Sequence, residues 1–306
     1  MELRHLRYFI AVAEAQHFTR AAERLGMQQP PLSLQIRALE TELGFELFVR
    51  HPKGAALTAG GAVFFDEAQA ILAAIDAASA RAARAAAGAT GQLTIGLTSS
   101  AAAHGLIPAI MRRYRAAFPD VQIDFREGNA AELGEALAER RLQIAFVRLP
   151  VSEPPGVVFT PLLMETMMLV LPAGHAAIVM AAGGELAPVP LSALRDETFI
   201  LVRRRGAPGM YANLVAACAQ AGFTPQRIIE VERMLTNISL VAAGAGVSAV
   251  PASMKGFHAD SVAYCPIRDS VPGAPLTMAL REDESSPAAR HFVATVQAAL
   301  KDHAAV

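Results

Sequence analysis

The chain has 306 residues, of which 53% are hydrophobic and 18% charged, and a formal net charge of −1. That length suits two or three domains, and the apolar content can supply a sizeable core, so a globally disordered chain is excluded. No apolar run reaches the ~20 residues of a membrane helix, and the near-neutral balance carries no global signal for nucleic acid.

Leu3, Leu6, Phe9, Ile10 and Ala13 recur at helical spacing and predict a first helix with one apolar face. The charges at Glu2, Arg4, Arg7 and Glu14 within that pattern argue for a folded amphipathic helix over a signal peptide. His17 and Phe18 break it, and Thr19 is expected to cap a second helix whose buried side is Ala21, Ala22 and Leu25. Gly26 supplies the tight turn. A third helix starts near Gln29, after Gln28, with Pro30 and Pro31 in its first turn, where a missing N–H is harmless. Leu32, Ile36, Leu39 and Leu43 form its buried stripe, Ser33, Arg37 and Glu40 its other face, and Gly44 its end.

Three short helices with glycine in the second turn describe a helix-turn-helix whose last member lies in the major groove. In that geometry Gln29, Ser33 and Arg37 are candidates to read base edges, and Leu34 to touch a thymine methyl. Leu47, Phe48 and Val49, a turn at residues 51–54 and a return strand describe a wing, with Arg50, His51 and Lys53 at its tip expected to face phosphate. Within residues 1–60, Arg4, Arg7, Arg20, Arg24, Arg37, Arg50 and Lys53 stand against Glu2, Glu14, Glu23, Glu40, Glu42 and Glu46, a balance of +1. A single copy should therefore bind DNA weakly, and affinity should come from pairing copies.

Residues 61–87 contain no proline and no internal glycine. Phe64, Ala68, Ile71, Ile75, Ala78 and Ala82 step by three or four along a helix of about 40 Å, a seam expected to pair with a second copy. Residues 88–91, GATG, break the helix and mark the domain boundary.

From Leu93 short apolar strands alternate with helices to the C-terminus, which predicts parallel sheets covered on both faces, in two α/β lobes. The last strand and helix are expected to return to the first lobe. The expected domains are residues 1–60, a linker helix 61–88 and a ligand domain 89–306. Its lobe I covers about 92–163 and 269–306, and its lobe II about 164–268. Ligands of open α/β sheets bind beyond the carboxyl ends of strands, here in the cleft between lobes. Thr98, Ser99 and Ser100, Gly128 and Asn129, and Arg148 stand at such ends, as do Val202 and the run Arg203, Arg204 and Arg205. Hydroxyls and amides at a helix start suit an anion, and an arginine suits a carboxylate. The plainer readings are N-caps for the hydroxyls and Asn129, and surface ion pairs for the arginines. Met164, Met167 and Met168 read as strand core, and Cys218 and Cys265 as small buried apolar residues matching no metal spacing.

No GxSxG, HExxH, P-loop or GxGxxG occurs, and the glycine-rich residues 244–251 follow a helix and precede a strand, the wrong order for cradling phosphate. The chain is read as a non-enzyme without metal or cofactor. A two-lobed solute-binding protein without a DNA role is the alternative, but it should carry an export signal and no helix-turn-helix.

The stretch FTRAAERLGMQQPPLSLQIRALETELGFELFVR, followed by LTAGG, resembles the signature of LysR-type transcriptional regulators without gaps. QPPLS and AFVRLP are similar to the subgroup that controls benzoate, muconate or chlorocatechol breakdown. The resemblance implies a winged helix-turn-helix, a long linker helix and a two-lobed, periplasmic-binding-protein-like effector domain. It implies dimers of dimers on promoter DNA, contact with RNA polymerase on activation, and cytoplasmic residence. It places Gln29, Pro30, Pro31, Ser33 and Lys53 on DNA, and a small organic-acid effector at the Thr98–Ser100 turn and the cleft arginines. The subgroup often has arginine after that serine, where this chain has Leu34.

Overall fold

The computed structural model describes residues 1–52, 54–148, 154–202 and 209–304, and the chain divides into two compact units, residues 1–85 and 86–306. Lys53, Arg203, Arg204 and Arg205 lie outside the described residues.

The first unit contains α1 (Leu3–Ala15), α2 (Phe18–Arg24), α3 (Gln29–Leu43), the antiparallel wing strands β1 (Phe48–His51) and β2 (Gly54–Leu57), and α4 (Ala59–Ala86). Leu6, Phe9 and Val12 of α1 meet Ala21 and Ala22 of α2 and the stripe Leu32, Ile36 and Leu39 of α3. The alanines let backbones approach where larger side chains would hold them apart. α2 begins two residues earlier than expected. His17 is its N-cap, its Nδ1 accepting from Thr19 N at 3.2 Å, so Thr19 is the second helical residue and not the cap. The shift brings Phe18 edge-on to Phe48, with ring centroids 5.7 Å apart. The wing is tied to α1, because Ala55 N donates to Gln16 O at 2.9 Å. Gly54 permits this approach, since a Cβ there would lie 2.3 Å from Gln16 O.

α4 is longer than the predicted 61–87 at its start, and Thr58 caps it by accepting from Gly61 N at 2.8 Å. Its seam is not uniform. Ala68 is fully buried and Phe64 packs on Phe9, so the first turns belong to the core of their own unit. Of the remaining seam residues Ile75 is half-buried, and Ile71, Ala78 and Ala82 are exposed.

The second unit opens with β3 (Gly91–Leu97), α5 (Ser99–Ala102), α6 (Leu106–Ala117), β4 (Val121–Glu127), α7 (Ala130–Ala138), β5 (Ile144–Arg148) and β6 (Val157–Glu165). Next come β7 (Met167–Pro172), β8 (Thr198–Val202), α8 (Gly209–Gln220), β9 (Arg227–Val231), α9 (Met234–Ala242), β10 (Ser248–Pro251) and β11 (Val262–Pro266). β12 (Ala274–Arg281) and α10 (Pro287–Ala304) close the chain. Lobe I is a five-stranded sheet in the order β4-β3-β5-β12-β6, so the last strand and helix return to it as expected. The sheet is mixed rather than parallel, because β12 runs antiparallel to both β5 and β6. Lobe II joins the antiparallel order β10-β7-β11 to the parallel pair β8-β9 through a bridge from Phe199 to Val247.

Both faces of each sheet are covered, and strand alternation divides the residues between them. In β5, Ile144 and Phe146 enter the core under α6 and α10, while Ala145 and Val147 enter the core under α7. In β7, Leu169 and Leu171 face the core that α8 shares, and Val170 the α9 side. Met167 and Met168 are half-buried, whereas Met164 is 69% exposed on the edge strand β6 and is not core. Cys218 and Cys265 are buried free thiols. Among the described residues no helix is long and apolar enough to cross a membrane and no metal-binding cluster forms.

Candidate nucleic-acid interface and effector cleft

The outward face of α3 presents Gln29, Pro30, Pro31, Leu34 and Arg37 to solvent, with Gln28 exposed just before it and Ser33 half-buried among them. Leu34 is 65% exposed, a large apolar side chain with no core to enter. Glu40 departs from the expected open face. Its Oε1 accepts from Leu47 N at 2.9 Å and Phe48 N at 3.2 Å, so its carboxylate anchors the start of the wing. Arg50 also departs from expectation. Its guanidinium turns back onto the helices, with Nη1 donating to Ser33 Oγ at 2.9 Å, Nη2 3.5 Å from Glu40 Oε2, and Cζ 4.6 Å from the Phe18 ring centroid.

In the second unit the candidate effector residues share one end of the sheets. Thr98 follows β3, Gly128 follows β4, Arg148 ends β5 and Val202 ends β8. Backbone bonds join the first three ends, Thr98 N donating to Phe146 O at 3.1 Å and Gly128 N to Leu97 O at 3.2 Å. Thr98 is buried and caps α5, its Oγ1 accepting from Ala101 N at 3.2 Å. Ser100 is buried and Ser99 half-buried. Asn129 caps α7 in a capping box with Glu132, each side chain accepting from the other's backbone N–H at 2.9 and 2.8 Å.

Arg148 is not a free surface arginine. It is 4% exposed and forms an ion pair with Glu165 at 2.6 Å. Nη1 donates to Ala274 O at 2.8 Å, and Nη2 also reaches Ser100 O at 3.2 Å and Ser253 Oγ at 3.4 Å. Ser253 N in turn donates to Glu165 Oε1. Burial disfavours the guanidinium charge and the adjacent carboxylate opposes that effect. Any carboxylate ligand would have to compete with Glu165. His104 lies beside this pair, and burial lowers its pKa.

Glu165 ends the last strand of lobe I before the crossing to lobe II, and Ser253 belongs to lobe II, so the Arg148 cluster sits at the junction. A second junction contact pairs Arg233, ahead of α9, with Glu132 on α7 at 3.4 Å. Sequence reasoning put Glu40 on the open face without its wing contacts, and missed Glu165, Ser253 and the Arg233–Glu132 pair. A buried strand-end arginine demands a counter-charge, but spacing cannot choose among 28 acidic residues.

These two units define a class: a winged helix-turn-helix carried on a long helix and coupled in sequence to a two-lobed ligand domain. The family models are more specific. Residues 3–62 match the bacterial regulatory helix-turn-helix protein, lysR family, and residues 86–301 match the LysR substrate binding domain. The chain belongs to the LysR family of DNA-binding transcriptional regulators. It is 38% identical over 293 residues to the HTH-type transcriptional regulator BudR of Raoultella terrigena, covering 96% of this chain and 99% of that one. It is 36% identical over 286 residues to the HTH-type transcriptional regulator BenM of Acinetobacter baylyi, covering 94% and 92%. The crystal structure of full-length CbnR with its target DNA superposes with a TM-score of 0.80 at 27% identity, covering 98% of this chain and 100% of that one. The relatives named here are transcriptional regulators, in keeping with the non-enzymatic reading.

Proposed function

We propose that the protein binds promoter DNA as a dimer, and as a dimer of dimers on paired sites, and that a small organic acid in the interlobe cleft alters that binding. The observation that carries this reading is the outward edge of α3, where Gln28, Gln29 and Arg37 are exposed beside half-buried Ser33, on a helix whose opposite stripe of Leu32, Ile36 and Leu39 is fully buried. Gln29 and Arg37 have the bidentate chemistry to read adenine and guanine, Ser33 adds a hydroxyl, and Lys53 would meet phosphate. The exposed part of the α4 seam supports self-association.

The effector would be a carboxylate, with an aromatic acid or a muconate-like dicarboxylate as the leading classes. Thr98, Ser99, Ser100, Gly128, Asn129 and Val202 would line its site, and Arg203 or Arg204 would pair its charge. With Arg148 engaged by Glu165, the later arginines are the first to test. The resemblance of QPPLS and AFVRLP to the benzoate, muconate and chlorocatechol subgroup favours an operon for aromatic breakdown, read out through RNA polymerase in the cytoplasm.

A footprint on the DNA upstream of the protein's own gene tests the DNA reading. Protection of two neighbouring sites is expected, and protection nowhere would sink it. Calorimetric titration with benzoate and cis,cis-muconate tests the effector. Binding lost in Arg203→Ala but kept in Arg290→Ala supports the cleft assignment, and binding unchanged in Arg203→Ala, Arg204→Ala and Thr98→Val removes it.

A further inference from the structure

Arg50 stands where the wing meets the recognition helix, and its three partners come from two helices: Phe18 on α2, Ser33 and Glu40 on α3. Its side chain is 33% exposed, against 12% for Glu40. Glu40 is held on its other side by two backbone amides of the wing, so one carboxylate and one guanidinium bind wing and helix reciprocally.

The consequence falls on Ser33. A hydroxyl has one hydrogen to donate and lone pairs that accept. A guanidinium can only donate, so the Ser33 oxygen is the acceptor in this bond. A second donor approaching that oxygen would also approach the arginine's positive charge. The group left for an incoming ligand is the hydroxyl hydrogen.

We propose that Arg50 is a positioning residue that locks the wing to α3 and makes Ser33 a dedicated hydrogen-bond donor. Ser33 then meets an acceptor on DNA, a phosphate oxygen or a purine N7, guanine O6 or thymine O4, and rejects the exocyclic amines of cytosine and adenine. This rests on the DNA-facing reading of α3 given above.

The test uses the full-length protein and fluorescence anisotropy with two labelled duplexes, the promoter region upstream of its own gene and a scrambled sequence, across a KCl series. Arg50→Gln should weaken promoter binding about tenfold, as expected for a lost charge-assisted hydrogen bond. The slope of log affinity against log salt should stay as in the wild type. Arg50→Lys should not rescue, because an ammonium lacks the fork that spans Ser33 and Glu40. The double variant with Ser33→Ala should be no weaker than Arg50→Gln by more than about twofold, since members of one network do not add.

A slope shallower by about 0.9 per engaged helix, with rescue by lysine, would make Arg50 a phosphate contact and overturn the proposal. Additive losses would overturn it equally. Should Arg50→Gln unfold early, the Ser33→Ala and Arg50→Lys pair supplies the same cycle. Loss in Ser33→Ala on both duplexes assigns the acceptor to phosphate, and loss on the promoter alone assigns it to a base edge. Failure of the wild type to bind either duplex would instead defeat the DNA reading beneath.

Discussion

A guanidinium that leaves water must find several acceptors at once, and Arg148 finds Glu165, Ala274 O and Ser100 O within one buried cluster. Removing the counter-charge leaves an uncompensated cation, which costs about 3 kcal/mol or more. Glu165→Gln should therefore lower the urea midpoint of the second unit markedly. A double change to Arg148→Met and Glu165→Leu should recover most of it, and no recovery would mean that the pair matters for more than charge balance. Gly61 gives a backbone test, because a Cβ there would stand 2.1 Å from Leu47 O. Gly61→Ala should unseat the start of α4 and destabilise the first unit by about 2 kcal/mol, read by thermal unfolding. Cys218 gives the pH test. Burial pushes its thiol from 9.0 up to about 11, so the folded state favours the neutral form. That contribution is whole below pH 9 and is lost as pH rises toward 11, so Cys218→Ala should show a flatter stability profile across that window. The Arg148 position was legible as a strand end in the sequence. Its partner was not, because the fold and not the spacing brings Glu165 to it.

Helical stripes were legible because burial selects residues by their angle around the axis. The α3 stripe and the sheet alternation followed that rule. Boundaries were less so: α2 starts at Phe18 because packing on Phe48 draws that residue into the helix, and His17 takes the cap. β6 carries a proline that its place in the sheet allows. Pro161 lies within it, which a central strand would not tolerate, but β6 is at the sheet edge and carries a register shift beside that proline. β11 is also an edge strand, ending in Pro266. The seam of α4 misled in a different way. One continuous pattern serves two partners, its own unit through Phe64 and Ala68 and, in our reading, a second copy through Ile71 and beyond. Ile71→Glu should then lower the sedimentation coefficient to that of a monomer while leaving the unfolding temperature of the first unit almost unchanged. Retained dimers would place the interface elsewhere.

Residues 86–306 hold four separate hydrophobic clusters around two sheets and form a compact unit without the first 85 residues. Expressed alone, this fragment should unfold cooperatively in urea and keep the effector affinity of the full chain within about threefold, checked by calorimetry. A fragment beginning after Gly88 should be weaker, because that glycine packs where a Cβ would lie 2.5 Å from Pro287 Cβ.

The position of β12 also sets the order in which this unit can form. Lobe II is built from one continuous stretch, β7 to β11, whereas Leu276 of β12 must find Arg148 of β5 across the whole of it. A chain emerging N-terminus first can complete lobe II while lobe I still lacks the strand between β5 and β6. Until then β5 and β6 present unpaired edges, the kind of surface that recruits strands from other chains. Nascent or prematurely terminated copies ending before Ala274 should therefore aggregate through lobe I, and chaperone dependence during synthesis should fall once β12 has been added.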